Sequence, residues 1–483
     1  MADISTVPMS DELDDSNKVR PPSAIVHDIH GVTNVDDVDD WATNPRNPYL
    51  WSRRRKIATV TLVSSIGFVC TMGSSIYAPG RDQVAADFNL SDEASVLPVS
   101  LYNAGMGLGP LIASPLSETF GRRAVYLVVL PLFCLFVMGS ALSHDLLTLG
   151  LCRLFAGVFA SPGVAIAAAT ISDMYRPSER TIPLIIYYTT PTLGALTGPL
   201  IGGFVVAHKS WRWTAWTTLF FSGPVFLPML FTRESYKKVI MQPSDASSAV
   251  PSRQSLQTFL TRHLLRPLHM LLTEPIVSFL CLYMSFQFGL LYAFVVSSPM
   301  IYANVYNFSR ESQSLTFLGL IAGNLLACLF LILLEIFYYR PRRQQHPQPE
   351  SRLHGAMVGS VLLPIGLLLF ATLSRSSVHP ILPIIAQTLT MLASLSIYIP
   401  SGTYLMASYG AAWGASASGA NSLLRYALAA CFPLFTDRML NNLGPLRAEM
   451  IWAGMALLMA GIPWALKRWG PALRARSQYV VDD

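Results

Sequence analysis

Residues 182–206 read IPLIIYYTTPTLGALTGPLIGGFVV, 25 positions without a single charged side chain. About 20 apolar residues suffice for a helix to cross a bilayer, so this stretch is long enough to span. It also contains Gly194, Gly198, Pro199, Gly202 and Gly203. In water these residues would break a helix. In a membrane, small residues at i and i+4 leave a flat groove against which a neighbouring helix packs. Proline frees a backbone carbonyl and bends the span.

Eleven more apolar runs flank this one, at 57–79, 94–115, 124–142, 146–170, 213–231, 276–302, 314–338, 355–373, 380–405, 410–435 and 448–466. The expected fold is an all-α membrane protein of twelve transmembrane helices in two six-helix bundles. Residues 1–52 form an acidic tail expected to be disordered and 53–231 the first bundle. A polar, basic loop at 232–275 divides the runs six and six, 276–468 form the second bundle, and 469–483 a second tail. Composition agrees, with 52% of the 483 residues hydrophobic, 13% charged and a mean hydropathy of +0.43. Soluble domains carry about 25% charge.

The net charge of +6 does not mark a nucleic-acid binder, because the basic residues stand in short clusters between apolar runs. Residues 53–56, 122–123, 176–180, 233–266, 340–352 and 467–476 hold 22 Lys and Arg, against seven in the intervening loops. That bias places both termini in the cytoplasm. The sequons at Asn89 and Asn307 fall on the opposite side, as glycosylation acceptors must. All six cysteines lie in apolar runs without a CxxC pair, so they read as small buried hydrophobes. The acidic opening is unlike a cleaved signal peptide, and the first run is expected to direct insertion.

Three motifs carry the chemistry. Ser114-Pro115-Leu116-Ser117-Glu118-Thr119-Phe120-Gly121-Arg122-Arg123 is a short loop with a carboxylate, a turn glycine and two arginines. Arg153, followed by Gly157, stands inside the fourth run, where a cation costs at least about 2.5 kcal/mol and needs an interior partner. Two roles stand open for it: proton transfer, or bonding helix carbonyls. The third motif is the run-five pattern from Gly194 to Gly203. Together these resemble the major facilitator superfamily: the loop matches G-x-L-a-D-R-x-G-R-R at Leu116, Gly121, Arg122 and Arg123. It departs at Ser114, Glu118 and Thr119. Run five is similar to the g-x-x-x-G-P-x-x-G-G mark of its proton-driven antiporters. Asn47-Pro48-Tyr49-Leu50-Trp51-Ser52-Arg53-Arg54-Arg55-Lys56, Ser75 to Pro79 and Asn421 to Arg425 resemble the fungal drug:proton antiporter branch.

The resemblance implies gating and coupling by Glu118, Gly121, Arg122, Arg123, Arg153 and Asp173, with Glu118 and Asp173 flanking Arg122. Gly194, Gly198, Pro199 and Gly202 belong to the same set. Substrate sites in such folds lie near the midplane between halves, which makes Tyr102, Asn103, Tyr187, Tyr188, Tyr283, Gln287, Asn324, Gln387, Asn421 and Arg425 candidates. Arg425 is a second intramembrane cation suited to an anionic or carbonyl-rich substrate. Carboxylates within the runs are read as Glu335, Glu118 and Asp173 only, so no proton carrier is evident. No Gly-Lys-Ser/Thr phosphate cradle occurs, and the nine histidines form no metal-site pairs, which excludes ATP-driven pumps and metalloenzymes. The expectation is a monomeric exporter of small amphipathic drugs, toxins or secondary metabolites in the plasma membrane, or alternatively a vacuolar or vesicle membrane. It needs no cofactor beyond a proton gradient. The alternative reading is a passive facilitator or importer of a polyamine or organic acid.

Overall fold

The computed structural model describes residues 41, 43–241, 265–342 and 348–479. The acidic stretch at 1–40 expected to be disordered, and most of the central loop (242–264), lie outside the described residues. Residues 43–52 are structured. Asn47 caps a single turn at Pro48–Leu50, and Ser52 then accepts the Arg55 amide to start the first span, α1 (Arg53–Ser75).

The spans follow in order: α2 (Asp92–Phe120), α3 (Arg122–Ala141), α4 (Leu146–Met174), α5 (Thr181–His208), α6 (Arg212–Phe226), α7 (Pro275–Tyr306), α8 (Phe317–Leu334) and α9 (His354–Leu373). Asp145 caps α4 by accepting the Thr148 amide at 2.6 Å, and this bond holds the Asp145 carboxyl below its ordinary value. The remaining helix runs from Ile381 to Met459, with non-helical backbone at Gly410 (φ 57°) and Gly444 (φ 77°). Only glycine takes such angles freely, so these two positions divide it into α10 (381–409), α11 (411–443) and α12 (445–459). A turn leads from α12 into α13 (Ile462–Arg474).

Among the described residues, eleven helices are long and apolar enough to cross a membrane. The last of these, Trp413–Arg474, has 62 residues. As one rod it would measure about 93 Å, three times the hydrocarbon thickness. The break at Gly444 folds it back on itself, so that Trp452 stacks on Phe432 with ring centroids 4.9 Å apart.

The two halves share a corner device. A short helix, Arg81–Phe88, ends on Asn89 (φ 51°), and α7 ends on Asn307 (φ 53°). Asparagine tolerates this left-handed cap. Two residues on, Ser91 and Ser309 cap the next helices by accepting the Ala94 and Ser312 amides. The sequons Asn-Leu-Ser and Asn-Phe-Ser are therefore one stop-and-start signal used once in each half.

Close packing follows the small residues. A Cβ on Gly194, Gly198 or Gly202 of α5 would collide with the α1 backbone at Phe68, Met72 and Ile76. Pro199 has no amide to offer the Ala195 carbonyl, and Ser75 Oγ of α1 donates to that carbonyl instead at 2.7 Å. Gly105 of α2 and Gly157 of α4 make a second such crossing, each facing backbone of the other helix. α7 is buried almost throughout, whereas Leu147, Phe220, Phe337 and Leu458 face outward as a lipid-facing shell would.

Both ends of the described chain reach the central loop. Asn44 bonds Met241, and Tyr479 bonds His269 at 2.8 Å. We call this side the terminal face.

Candidate functional site

At the terminal face, Gly121 turns the chain from α2 into α3 with φ 92°. Glu234 sits directly beneath it, its carboxylate 2.5 Å from where a Cβ would be, so a side chain here would displace the carboxylate as well as strain the backbone. The Glu234 carboxylate accepts the amides of Arg122 and Arg123 at 3.0 and 2.9 Å. These are unpaired donors at a helix N-terminus, where negative charge is favoured. Arg122 Nε donates to Asp173 at 3.1 Å and Nη1 to Ser117 at 2.6 Å, while its guanidinium lies over the Tyr236 ring. Arg123 donates to the Leu230 carbonyl.

This corrects the sequence reading in one particular. Glu118 is exposed and makes no bond to Arg122; the carboxylate opposite Asp173 is Glu234. Glu118 lies on the outer side of the α2 end, while the chain after α6 returns Glu234 to the turn. The second half carries its own network at the same face, where Glu350 accepts from Arg474 Nε and Nη2 at 2.9 Å each and Arg352 lies 3.8 Å from buried Glu335.

Arg153 of α4 reaches the C-terminal end of α1. Its Nη1 and Nη2 donate to the Gly73 and Ser74 carbonyls at 2.8 and 3.1 Å, between the rings of Tyr77 and Tyr102. α1 stops at Ser75, which leaves its last carbonyls without amide partners. The arginine supplies them, and the two aromatic faces further stabilise the cation. Of the two roles open for Arg153, the structure displays the carbonyl bonding. Ser74 Oγ then meets Tyr292 Oη of α7 at 2.6 Å, linking the two halves next to the arginine.

Between the halves, nearer the terminal face, lies a cleft. Of the sequence candidates, Tyr187, Tyr188, Asn421 and Arg425 line it, joined by Phe288, Tyr398 and Tyr426. Arg425 is buried, donates to Tyr398 Oη at 2.8 Å and packs on the rings of Phe288 and Tyr426.

The other candidates lie outside this lining, and all but Tyr283 bond helix to helix. Tyr102 donates to the Cys70 carbonyl, and Asn103 to the Ala429 carbonyl of the other half. Asn324 accepts from Thr192 and donates to the Thr189 carbonyl. Gln287 accepts from Ser394, and Gln387 bonds Ser298 and Tyr302. Tyr283 is buried with its hydroxyl unpartnered.

The opposite face is closed by ion pairs between the halves. Arg81 pairs with Asp437, Arg438 with Glu93, and Arg310 with Asp82 at 3.2 Å. The short list of carboxylates read from sequence needs a second correction here. Asp437, just past the eleventh run, and Glu449, inside the twelfth, are both buried. Glu449 lies one turn below Gly444 in α12, with Oε2 unpartnered. Neither touches the cleft, and the described residues hold no group of three or more potential metal ligands.

The family described as Major Facilitator Superfamily matches residues 63–433. "Polyamine transporter 4" of Saccharomyces cerevisiae is 30% identical over 98% of this chain and 78% of its own length. The "Ascochitine biosynthesis cluster MFS transporter" of Didymella fabae is 31% identical over 91% of this chain and 88% of its own. Among solved structures, a D-xylose-proton symporter superposes with a TM-score of 0.64 at 17% identity, covering 84% of this chain and 97% of that one.

Proposed function

Because the chain belongs to the Major Facilitator Superfamily, and is thus a transporter rather than an enzyme, we propose that it exports small amphipathic organic molecules in exchange for protons, by alternating access of its two halves. The observation that carries this reading is the asymmetry of the interface. The cleft between halves lies toward the terminal face, and among the described residues the ion pairs that join the halves all lie at the opposite face. In this state a molecule enters from the terminal side, which the Lys and Arg bias assigns to the cytoplasm. Parting of Arg81 from Asp437 and Arg438 from Glu93 opens the other side, while the networks around Arg122 and Glu350 bring the terminal ends together.

Proton exchange is supported by the full run-five glycine-proline pattern and its seating on α1. Export of a self-made metabolite is supported by the relative named for a biosynthesis cluster. We place the protein in the plasma membrane, or alternatively in a vacuolar or vesicle membrane, as a monomer. A second reading is passive movement of a polyamine or organic acid: the relative named for polyamines favours the first cargo, and the lack of a carboxylate in the cleft lining favours passive movement and the second cargo.

Purified protein in liposomes separates the two. Flux of compounds that accumulate in deletion cells is expected to rise with an imposed pH gradient, whereas flux blind to the gradient would replace antiport with facilitation.

A further inference from the structure

The cleft has an unusual electrostatic make-up. Its lining contains one charged side chain, Arg425, and no carboxylate, lysine or histidine. Among the described residues no carboxylate pairs with Arg425. Its charge is held instead by the faces of Phe288, Tyr398 and Tyr426 at 4.4 to 5.6 Å. An arginine cannot shed its proton, so the cation is permanent. Four buried polar atoms on this helix lack partners, Asn421 Oδ1, Arg425 Nε, Tyr426 Oη and, beyond the cleft, Asp437 Oδ1. Asn421 and Arg425 stand at i and i+4, neighbours on one helix face. Buried groups of this kind are normally satisfied, so the pair marks a ligand position: a donor seeking an acceptor, one helical turn from an acceptor seeking a donor. Tyr188 and Tyr398, one from each half, meet edge to face in the cleft wall with ring centroids 6.4 Å apart.

We infer that this cleft takes flat aromatic molecules bearing a carboxylate, phenolate or ketone oxygen beside a hydroxyl, and that it turns polyamines away. The inference rests on the transporter reading and names the cargo class of the same site. The acidic or carbonyl oxygen receives Arg425 Nε–H, the hydroxyl donates to Asn421 Oδ1, and the ring lies among the tyrosines. A polyamine brings several positive charges toward Arg425 with no carboxylate to offset them. At about 6 Å and an effective dielectric near 20, each such charge costs roughly a hundredfold in affinity.

Fluorescein and rhodamine 123 share one ring system but differ in charge, and spermidine supplies the polycation. Fluorescence anisotropy with the full chain in detergent is expected to show fluorescein binding that neither spermidine nor rhodamine 123 displaces. Arg425→Gln is expected to weaken fluorescein at least about tenfold and to admit rhodamine 123. Arg425→Lys keeps the charge and goes on excluding spermidine. Asn421→Leu, which leaves the cation in place, lowers fluorescein affinity several-fold should the glutamine variant not fold. Displacement by spermidine, no fluorescein binding, or binding indifferent to both variants would overturn the inference. Liposome flux keeps the two claims apart. Selective fluorescein binding without pH-driven flux retains the cargo class and removes antiport. Spermidine flux driven by pH retains antiport and removes the cargo class.

Discussion

At the residue scale, the motif positions divide into those that act where the sequence puts them and those whose partner comes from far along the chain. Arg153 was legible as a residue in need of an interior partner, because an unaccompanied cation in hydrocarbon is costly. That its partners are the last carbonyls of α1 was not legible, since it depends on where α1 stops. Arg153→Ala leaves the Gly73 and Ser74 carbonyls unpaired. It is expected to abolish transport and to cost about 3–6 kcal/mol of packing stability for two charge-assisted bonds, with membrane insertion intact. Liposome flux beside a detergent thermal-stability assay checks this, and unchanged flux would remove the residue from the mechanism. The loop acid is the reverse case. Glu118 has the right spacing in sequence, yet Glu234, 112 residues from Arg122, takes the position. Glu118→Gln is expected to transport within about twofold of the unaltered chain, whereas Glu234→Gln, which removes the charge at the α3 N-terminus, is expected to lose about 0.3–1 kcal/mol and several-fold in flux. Equal effects would refute the reassignment.

At the scale of elements, run five was the most legible part of the chain, because glycine spacing states a helix contact directly. What it could not state was the partner. α1 receives the seam, and its Ser75 hydroxyl satisfies the carbonyl that Pro199 leaves free. Gly198→Leu forces side-chain atoms into Ser75 and Ile76 and is expected to cost at least about 1–3 kcal/mol, as overpacking does, with transport lost. Gly454→Ala in α12, where a Cβ meets nothing within 4 Å, is the control and is expected to be silent. The helix ends at Asn89 and Asn307 argue similarly. Both side chains are exposed, and the sequon spacing arises from the pairing of an asparagine stop with a serine start. Glycine also accepts the left-handed cap. Asn89→Gly with Asn307→Gly should therefore leave thermal stability unchanged while abolishing any mass shift on endoglycosidase treatment of cell-derived protein. An unmodified parent protein would withdraw the sequons as support for orientation.

At the scale of the whole molecule, composition and the apolar runs made the all-helical membrane fold legible. The cleft was only half legible. Tyr187, Tyr188, Asn421 and Arg425 line it, but the other polar candidates join helices together, because single-residue polarity does not say which way a helix is turned. The ion pairs between halves were illegible, as each joins loops and helix ends far apart in sequence, and it is they that close the face opposite the termini. The central claim is that the two halves move against each other about the cleft. Spin labels at two pairs of exposed positions, Ala86 with Arg447 on the face opposite the termini and Thr119 with Arg342 on the terminal face, test it by pulsed electron resonance in lipid, with native cysteines replaced. Across pH and with transported compound added, the account predicts that one distance lengthens as the other shortens, between two populations. Distances that stay fixed, or that lengthen and shorten together, would contradict it.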